Sequence, residues 1–185
     1  NQHVIVHGKE GMVLDPGGHK VYNRVLSATF ATLGGANLRH IFLSHQDPDI
    51  VAAVNGWLMT TDADAHLSAL WTRFVSHFGR DHPLDHRLKP IPDAVGLLDL
   101  GAAQMVMLPA HFLHSEGNFQ LYDPVSKILY SGDLGTSLGA DYLCVPDFDQ
   151  HLRYMEGFHR RYMASNRVMA AWANMVRSLD IEIIA

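Results

Sequence analysis

Apolar residues recur with two different periods along this chain. Short apolar runs bounded by turn residues predict strands, whereas apolar residues spaced three or four apart predict helices. Alternation over 3–7 and an apolar run over 12–14, divided near Gly11, indicate a β-hairpin. Similar short runs predict further strands at 41–43, 95–98, 104–108, 118–122, 127–130 and 181–185.

Helical spacing predicts a first helix over 21–33, which Gly34 and Gly35 end. The same spacing predicts further helices at 50–58, 65–78, 148–162 and 167–179. Segment 80–92 contains three prolines and two histidines and is predicted to be a loop.

The order of these elements indicates the fold class. The strands 118–122 and 127–130, with Asp123-Pro124 at the turn, are predicted to form a second hairpin. Hairpins near both ends, with helices between and after them, do not fit a simple strand–helix–strand repeat. We therefore predict an α+β fold in which two mixed sheets pack face to face, with helices outside. The 185 residues fit a single domain over 1–185. Because an apolar strand is an unusual terminus, we expect a further segment beyond Ala185.

Composition narrows the classes of partner and of metal site. A net charge of -5 disfavours nucleic acid, which requires a basic face. No apolar run is long enough to span a bilayer, so we expect no membrane partner. The single cysteine, Cys144, excludes an internal disulfide and a thiolate-rich metal site and favours a cytoplasmic protein. The 13 histidines favour a site built from imidazole and carboxylate.

The first candidate cluster follows the predicted strand 41–43. His45, Asp47 and Asp49 occupy alternate positions, which brings three side chains towards one point on an extended segment. The carboxylates would repel one another unless a cation lay among them. Alternatively, Asp47 is a helix N-cap with Pro48 at the first helical position. The residues alone leave both interpretations open.

Two further clusters follow apolar strands in the same way. His111 and His114 lie in the polar segment after strand 104–108, and Asp133 lies in a Gly-Asp turn after strand 127–130. A Gly-Asp turn alone is common and carries little information. However, three strands that end in loops with Asp or His favour a site at one rim of the sheets.

This pattern resembles the metallo-β-lactamase superfamily. A strand is followed by His45-x-Asp47-x-Asp49, by the distant His114, and by Asp133 another 19 residues later. The similarity implies a four-layer αββα sandwich and is closest to flavodiiron proteins and stand-alone oxygen-binding di-iron proteins. Ile50 departs from that pattern, which often has histidine there.

The resemblance also implies a set of ligands. His45, Asp47 and His114 would hold one metal, Asp49 a second, and Asp133 would bridge the two. From their positions, His111 is expected to orient these ligands or to line the pocket beside His114, and Asp15 to fix its turn or to orient the ligands without binding metal itself. The resemblance also implies a histidine ligand for the second metal in a loop just after the last strand. We therefore expect this histidine in the segment beyond Ala185.

The implied function is that of a non-haem protein with two iron ions that binds, senses or reduces dioxygen or a related small oxidant such as nitric oxide. Carboxylates and imidazoles suit iron, although purified protein could carry zinc. No Gly-rich dinucleotide motif is present, so we expect no flavin on this chain and a separate electron donor or signalling partner. Flavodiiron relatives suggest a homodimer.

The alternative is a zinc-dependent hydrolase that acts on an ester, amide or thioester. Zinc hydrolases of the superfamily resemble one another in a His-x-His-x-Asp-His motif. Asp47 and Ile50 replace two histidines of that motif, which counts against zinc hydrolysis.

Overall fold

The computed structural model describes residues 1–75, 77 and 86–185. Its strands are β1 (His3–His7), β2 (Glu10–Leu14), β3 (Asn37–Phe42), β4 (Asp64–Ser68), β5 (Leu88–Ile91), β6 (Gly96–Leu100), β7 (Ala103–Pro109), β8 (Phe119–Asp123), β9 (Ile128–Tyr130) and β10 (Ile183–Ile184). Its helices are α1 (Tyr22–Leu33), α2 (Pro48–Val51), α3 (Val54–Thr60), α4 (Thr72–Val75), α5 (Phe148–Tyr162) and α6 (Asn166–Val176).

The strands form two mixed sheets of five strands each. The first sheet has the order β1-β2-β3-β4-β5, in which β1 and β2 form an antiparallel hairpin and all later neighbours are parallel. The second sheet has the order β10-β9-β8-β7-β6 and is antiparallel except for the pair β9–β10. The predicted hairpin and the predicted pair of mixed sheets are therefore confirmed.

Three apolar layers hold the sheets and helices together. Helices α1 and α3 cover the outer face of the first sheet through Leu33 and Trp57. Helix α6 packs Val176 against Tyr122 on the outer face of the second sheet. The core between the sheets contains buried side chains from both, among them Met12, Phe42, Met105 and Phe119. This arrangement is the predicted four-layer α+β sandwich.

The helix predicted over 65–78 is wrong. Residues Asp64–Ser68 form strand β4, Thr72–Val75 form the short helix α4, and residues 76 and 78 lie outside the described part. Alanine and leucine favour a helix in isolation. Here Ala65 and Leu67 are fully buried in a strand that pairs with β3 on one side and β5 on the other. Tertiary pairing therefore overrides the local preference.

The loop predicted over 80–92 is also partly wrong, because Leu88–Ile91 form β5. Pro90 lies within this strand, and among the described residues β5 is the last strand of its sheet. Proline lacks an N–H and is tolerated at such an edge. Residues 80–85 lie outside the described part.

The helix predicted over 50–58 is divided into α2 and α3 around Ala52 and Ala53. In α1, Phe30 is exposed although the apolar pattern placed it inside, and the neighbouring Thr29 is buried instead. In the described part of the chain, every helix is too short or too polar to cross a membrane.

Candidate metal centre

The three candidate clusters meet at one edge of the sandwich. Strand β3 leads into the segment with His45 and Asp47, β7 leads into the loop with His114, and β9 leads into the loop with Asp133. Two loops therefore come from the second sheet and one from the first. The candidate centre lies where the ends of these strands come together.

Two imidazoles and two carboxylates converge there. Nε2 of His114 lies 3.2 Å from Oδ2 of Asp133 and 3.4 Å from Oδ2 of Asp47. Nε2 of His45 lies 3.7 Å from Oδ2 of Asp47 and 3.8 Å from Oδ2 of Asp133. Ligand atoms of His45, Asp47 and His114 all lie within 4.8 Å of one another. Such a set of nitrogen and oxygen atoms can hold a metal ion.

The structure distinguishes between the two interpretations of Asp47. Asp47 does occupy the N-cap position of α2, and Pro48 is in the first turn. However, its side chain makes no capping hydrogen bond and instead faces His45 and His114. The carboxylate is thus directed into the cluster and not onto the helix.

The electrostatics of the cluster favour a cation. Asp133 and Asp47 raise the pKa of His114 to about 9, because both stabilise its protonated form. In return, the pKa of Asp47 and that of Asp133 are lowered, with contact to His114 as the main cause. Burial lowers the pKa of His45, but contact with Asp47 and nearby carboxylate charges outweigh it and raise that pKa. A metal ion would bind by displacing these protons.

Asp15 fixes the orientation of His45 through Ser44. The backbone N–H of Ser44 donates to Oδ1 of Asp15 (2.8 Å), and its hydroxyl donates to Oδ2 (2.7 Å). Because the hydroxyl proton is used in this way, Ser44 Oγ accepts from Nδ1–H of His45 at 2.9 Å. The proton of a neutral His45 is therefore on Nδ1, and the lone pair of Nε2 faces the cluster. Burial raises the pKa of the Asp15 carboxyl.

His111 does not join the cluster but supports the loop of His114. Its Nδ1 accepts the N–H of Gly117 (3.0 Å), and its Nε2 lies 3.8 Å from Oδ1 of Asp93. The ring packs edge-on against Phe119. His111 is thus placed to stabilise the turn over 111–117.

Asp49 is also outside the set of converging atoms. It is exposed in the first turn of α2, where a carboxylate interacts favourably with the helix dipole. The neighbouring Ile50, which departs from the family pattern, packs against the core on the outer face of the first sheet.

Residues with no assigned role in the sequence join the ligand loops to each other. The hydroxyl of Ser115 contacts Oε1 of Gln46 (2.8 Å) and Oδ1 of Asn118 (2.6 Å) and shares its single proton between these two acceptors. Nδ2 of Asn118 donates to the carbonyl of Leu113, beside His114. Apart from its place next to His45 and Asp47, no local signal identifies Gln46. Its role arises from the approach of two distant loops.

A small apolar cluster lies beneath the ligand loops. Leu113 precedes His114 and Leu134 follows Asp133, and both leucines are buried together with Met163 at the end of α5. This packing brings the two loops together. Neither leucine could be paired with the other from the sequence.

The chain is similar to known proteins over its whole length. The family model described as ODP family beta lactamase matches residues 1–185. A structure described as the peroxy diiron species of chemotaxis sensor ODP has a TM-score of 0.88 and 40% identity, covering 100% of this chain and 76% of its own. The apo state of chemotaxis sensor ODP from T. denticola has a TM-score of 0.89 and 39% identity, with coverages of 100% and 75%.

A mutant of the flavo di-iron protein from Thermotoga maritima is similar in fold only. Its TM-score is 0.82 at 16% identity, covering 100% of this chain and 46% of its own. A search of curated proteins gave no match. The fold is thus shared with a flavo di-iron protein. Since the family model spans the whole chain, the chain belongs to the family described as ODP family beta lactamase.

Proposed function

We propose that this chain is a non-haem di-iron protein that binds dioxygen and serves to sense it. The observation that carries the proposal is the convergence of two imidazoles and two carboxylates at one edge of the sandwich. The Nε2 atoms of His45 and His114 lie 3.2 to 3.8 Å from the Oδ2 atoms of Asp47 and Asp133. The similarity to chemotaxis sensor ODP, one of whose structures is described as a diiron species, supports it.

The residues fit a pair of iron ions in their donor chemistry. Imidazole nitrogen and carboxylate oxygen are the ligands of non-haem iron, and the surplus of carboxylate favours a cation. His45, Asp47 and His114 would hold the first iron, and Asp133, with two carboxylate oxygens, would bridge the pair. Asp49 would serve the second iron. The last assignment rests on the resemblance alone.

When bound by these residues, a pair of irons would supply open coordination positions and electrons for dioxygen. The chain's own residues orient the site. Asp15 and Ser44 keep the lone pair of His45 Nε2 directed into the cluster. His111 supports the loop of His114, and the hydrogen bond from Ser115 to Gln46 keeps the two ligand loops together.

The proposal includes partners that follow from the site. The ligand would be dioxygen or a related small oxidant such as nitric oxide. Electrons for any reduction would come from a separate electron donor, and a sensing role would require a signalling partner. We also propose a cytoplasmic location, consistent with one cysteine, and a homodimer.

The test is metal content combined with the response to air. The protein is expressed with added iron and purified anaerobically, its metals are measured by mass spectrometry, and visible absorption is recorded before and after exposure to air. We expect a pair of irons per chain and a new visible band. Zinc that iron cannot displace, with no spectral response, would contradict the proposal and favour the metal-dependent hydrolase.

A further inference from the structure

The residues that carry Asp133 form a long loop over 131–147, between β9 and α5, here called the Asp133 loop. The carbonyl of Asp133 accepts the N–H of Thr136 at 3.1 Å, which closes a turn around Gly135. Gly135 has a φ of 101°, a conformation that favours glycine. Asp133 and Gly135 are therefore parts of one tight turn, and a shift of one displaces the other.

His159 of α5 contacts this turn directly. Its Nδ1 lies 2.8 Å from the carbonyl of Met155, and a carbonyl can only accept, so Nδ1 carries the proton. Its Nε2 is then the free lone pair, which accepts the N–H of Gly135 at 2.9 Å. Both ring nitrogens are thus committed, and the ring is fixed between the helix backbone and the turn.

The rest of the Asp133 loop is anchored on the same helix. The buried His151 contacts Ser137 Oγ with Nε2 (2.7 Å) and Tyr142 OH with Nδ1 (2.8 Å). The N–H of Leu138 donates to the carbonyl of Tyr154. These contacts hold the loop as a whole, but the contact of His159 lies nearest to Asp133 in sequence.

We propose that His159 is a positioning residue, which fixes the location of the Asp133 carboxylate by holding Gly135. The effect of His159 on metal binding rests on the proposed function. Without an acceptor at the position of Nε2, the Gly135 peptide is free to rotate and the turn relaxes. Asp133 Oδ2, now 3.2 Å from Nε2 of His114, then moves away. Partners of this kind, one step behind the ligands, influence metal affinity strongly.

Two substitutions separate the two hydrogen bonds of His159. In His159→Asn the amide group lies where Nδ1 was, so it keeps the bond to Met155 but cannot reach Gly135. In His159→Gln the amide oxygen lies near the place of Nε2 and still accepts from Gly135. The glutamine variant is therefore the matched control for loss of the ring.

Two measurements are made on the full chain. By NMR of metal-free protein, exchange of the Gly135 amide should accelerate about tenfold in His159→Asn and stay near the wild-type rate in His159→Gln. Affinity for ferrous iron, measured anaerobically against a chelator, should fall about tenfold or more in His159→Asn only. Unchanged affinity in His159→Asn, or equal losses in both variants, would overturn the positioning role.

Failure of the proposed function gives a different result. If the wild-type protein takes up no ferrous iron, the di-iron proposal fails. The positioning role of His159 is then tested by NMR of the metal-free protein. The carboxyl carbon-13 shift of Asp133 should then change in His159→Asn and not in His159→Gln. The same shift in all three proteins would overturn the inference.

Discussion

Nε2 of His114 lies 3.2 Å from Oδ2 of Asp133, although the two residues follow different strands of the second sheet. Strand β8 separates β7 from β9 in that sheet, so the loops after these strands must bend across its end. The packing of Leu113 against Leu134 beneath them brings this about. The candidate centre is therefore stabilised by apolar burial as well as by charge.

Asp133→Asn tests the bridging carboxylate. Asparagine keeps the shape of the side chain but removes the negative charge that faces both imidazoles. We expect affinity for ferrous iron, measured by anaerobic competition with a chelator, to fall about 100-fold or more, the upper end of losses from residues that only support ligands. Asp141→Asn, in the same loop but exposed, is the control and should bind iron as the wild type does. Equal affinity in both variants would refute the assignment.

Asp15→Asn tests how the tautomer of His45 is set. An asparagine amide would donate to Ser44 Oγ, whose own proton would then go to Nδ1 of His45. The proton of the neutral ring would move to Nε2, which could no longer bind metal. We expect about a 10–100-fold loss of iron affinity. Nitrogen-15 shifts of His45 report the tautomer in the metal-free protein.

Ser44→Ala is the companion variant for that experiment. Without the hydroxyl, no hydrogen bond forces the proton onto Nε2, so affinity should fall less than in Asp15→Asn. A wild-type tautomer in Asp15→Asn, or a larger loss in Ser44→Ala, would show that the relay does not act as described.

Gly117→Ala tests the packing of the His114 loop. Gly117 has a φ of 74°, and a Cβ there would lie 2.7 Å from Nε1 of Trp71. Gly139 has a φ of 83° with open space around it, so Gly139→Ala carries the backbone cost alone, about 1–2 kcal/mol. The overlap adds about 1–3 kcal/mol in Gly117→Ala. Urea denaturation measures both, and equal losses would contradict the close contact.

The pair His40 and His66 predicts a loss of stability in mild acid. His40 Nε2 donates to the carbonyl of Asp99, so its Nδ1 accepts from Nε2 of His66 at 3.0 Å. Burial and the charge of His40 lower the pKa of His66 to about 3, from about 6.5 in the unfolded chain. The unfolded state therefore binds more protons in this range, and stability present above pH 6.5 is lost as pH falls towards 3.

The slope from one such group is at most about 1.4 kcal/mol per pH unit. Urea midpoints between about pH 7 and 4.5 measure it. His66→Gln keeps a donor for His40 without a titrating ring and should flatten the curve. His19→Gln, at an exposed histidine, should leave the wild-type slope. An unchanged slope in His66→Gln would place the acid sensitivity elsewhere.

The local sequence pattern predicted most strands and helices, but it failed for two strands that form by pairing with strands distant in sequence. Helix Phe148–Tyr162 was predicted with its observed bounds, because helical spacing of apolar residues is a local feature. Strand β4 was missed, since a strand buried on both faces lacks the alternation that identifies an exposed one. Strand β5 was missed because Pro90 indicates a loop unless the strand is known to lie at a sheet edge.

The sequence by itself determined which types of metal-binding side chain the protein has and where along the chain they lie. One cysteine, many histidines and three polar segments after apolar strands follow directly from residue type and spacing. Only the tertiary structure decided that Asp47 faces the imidazoles and does not cap α2, and that His159 supports the turn of Asp133. These contacts join residues far apart in the chain. They arise from the long-range packing of strands and loops, so the local spacing of apolar residues cannot predict them.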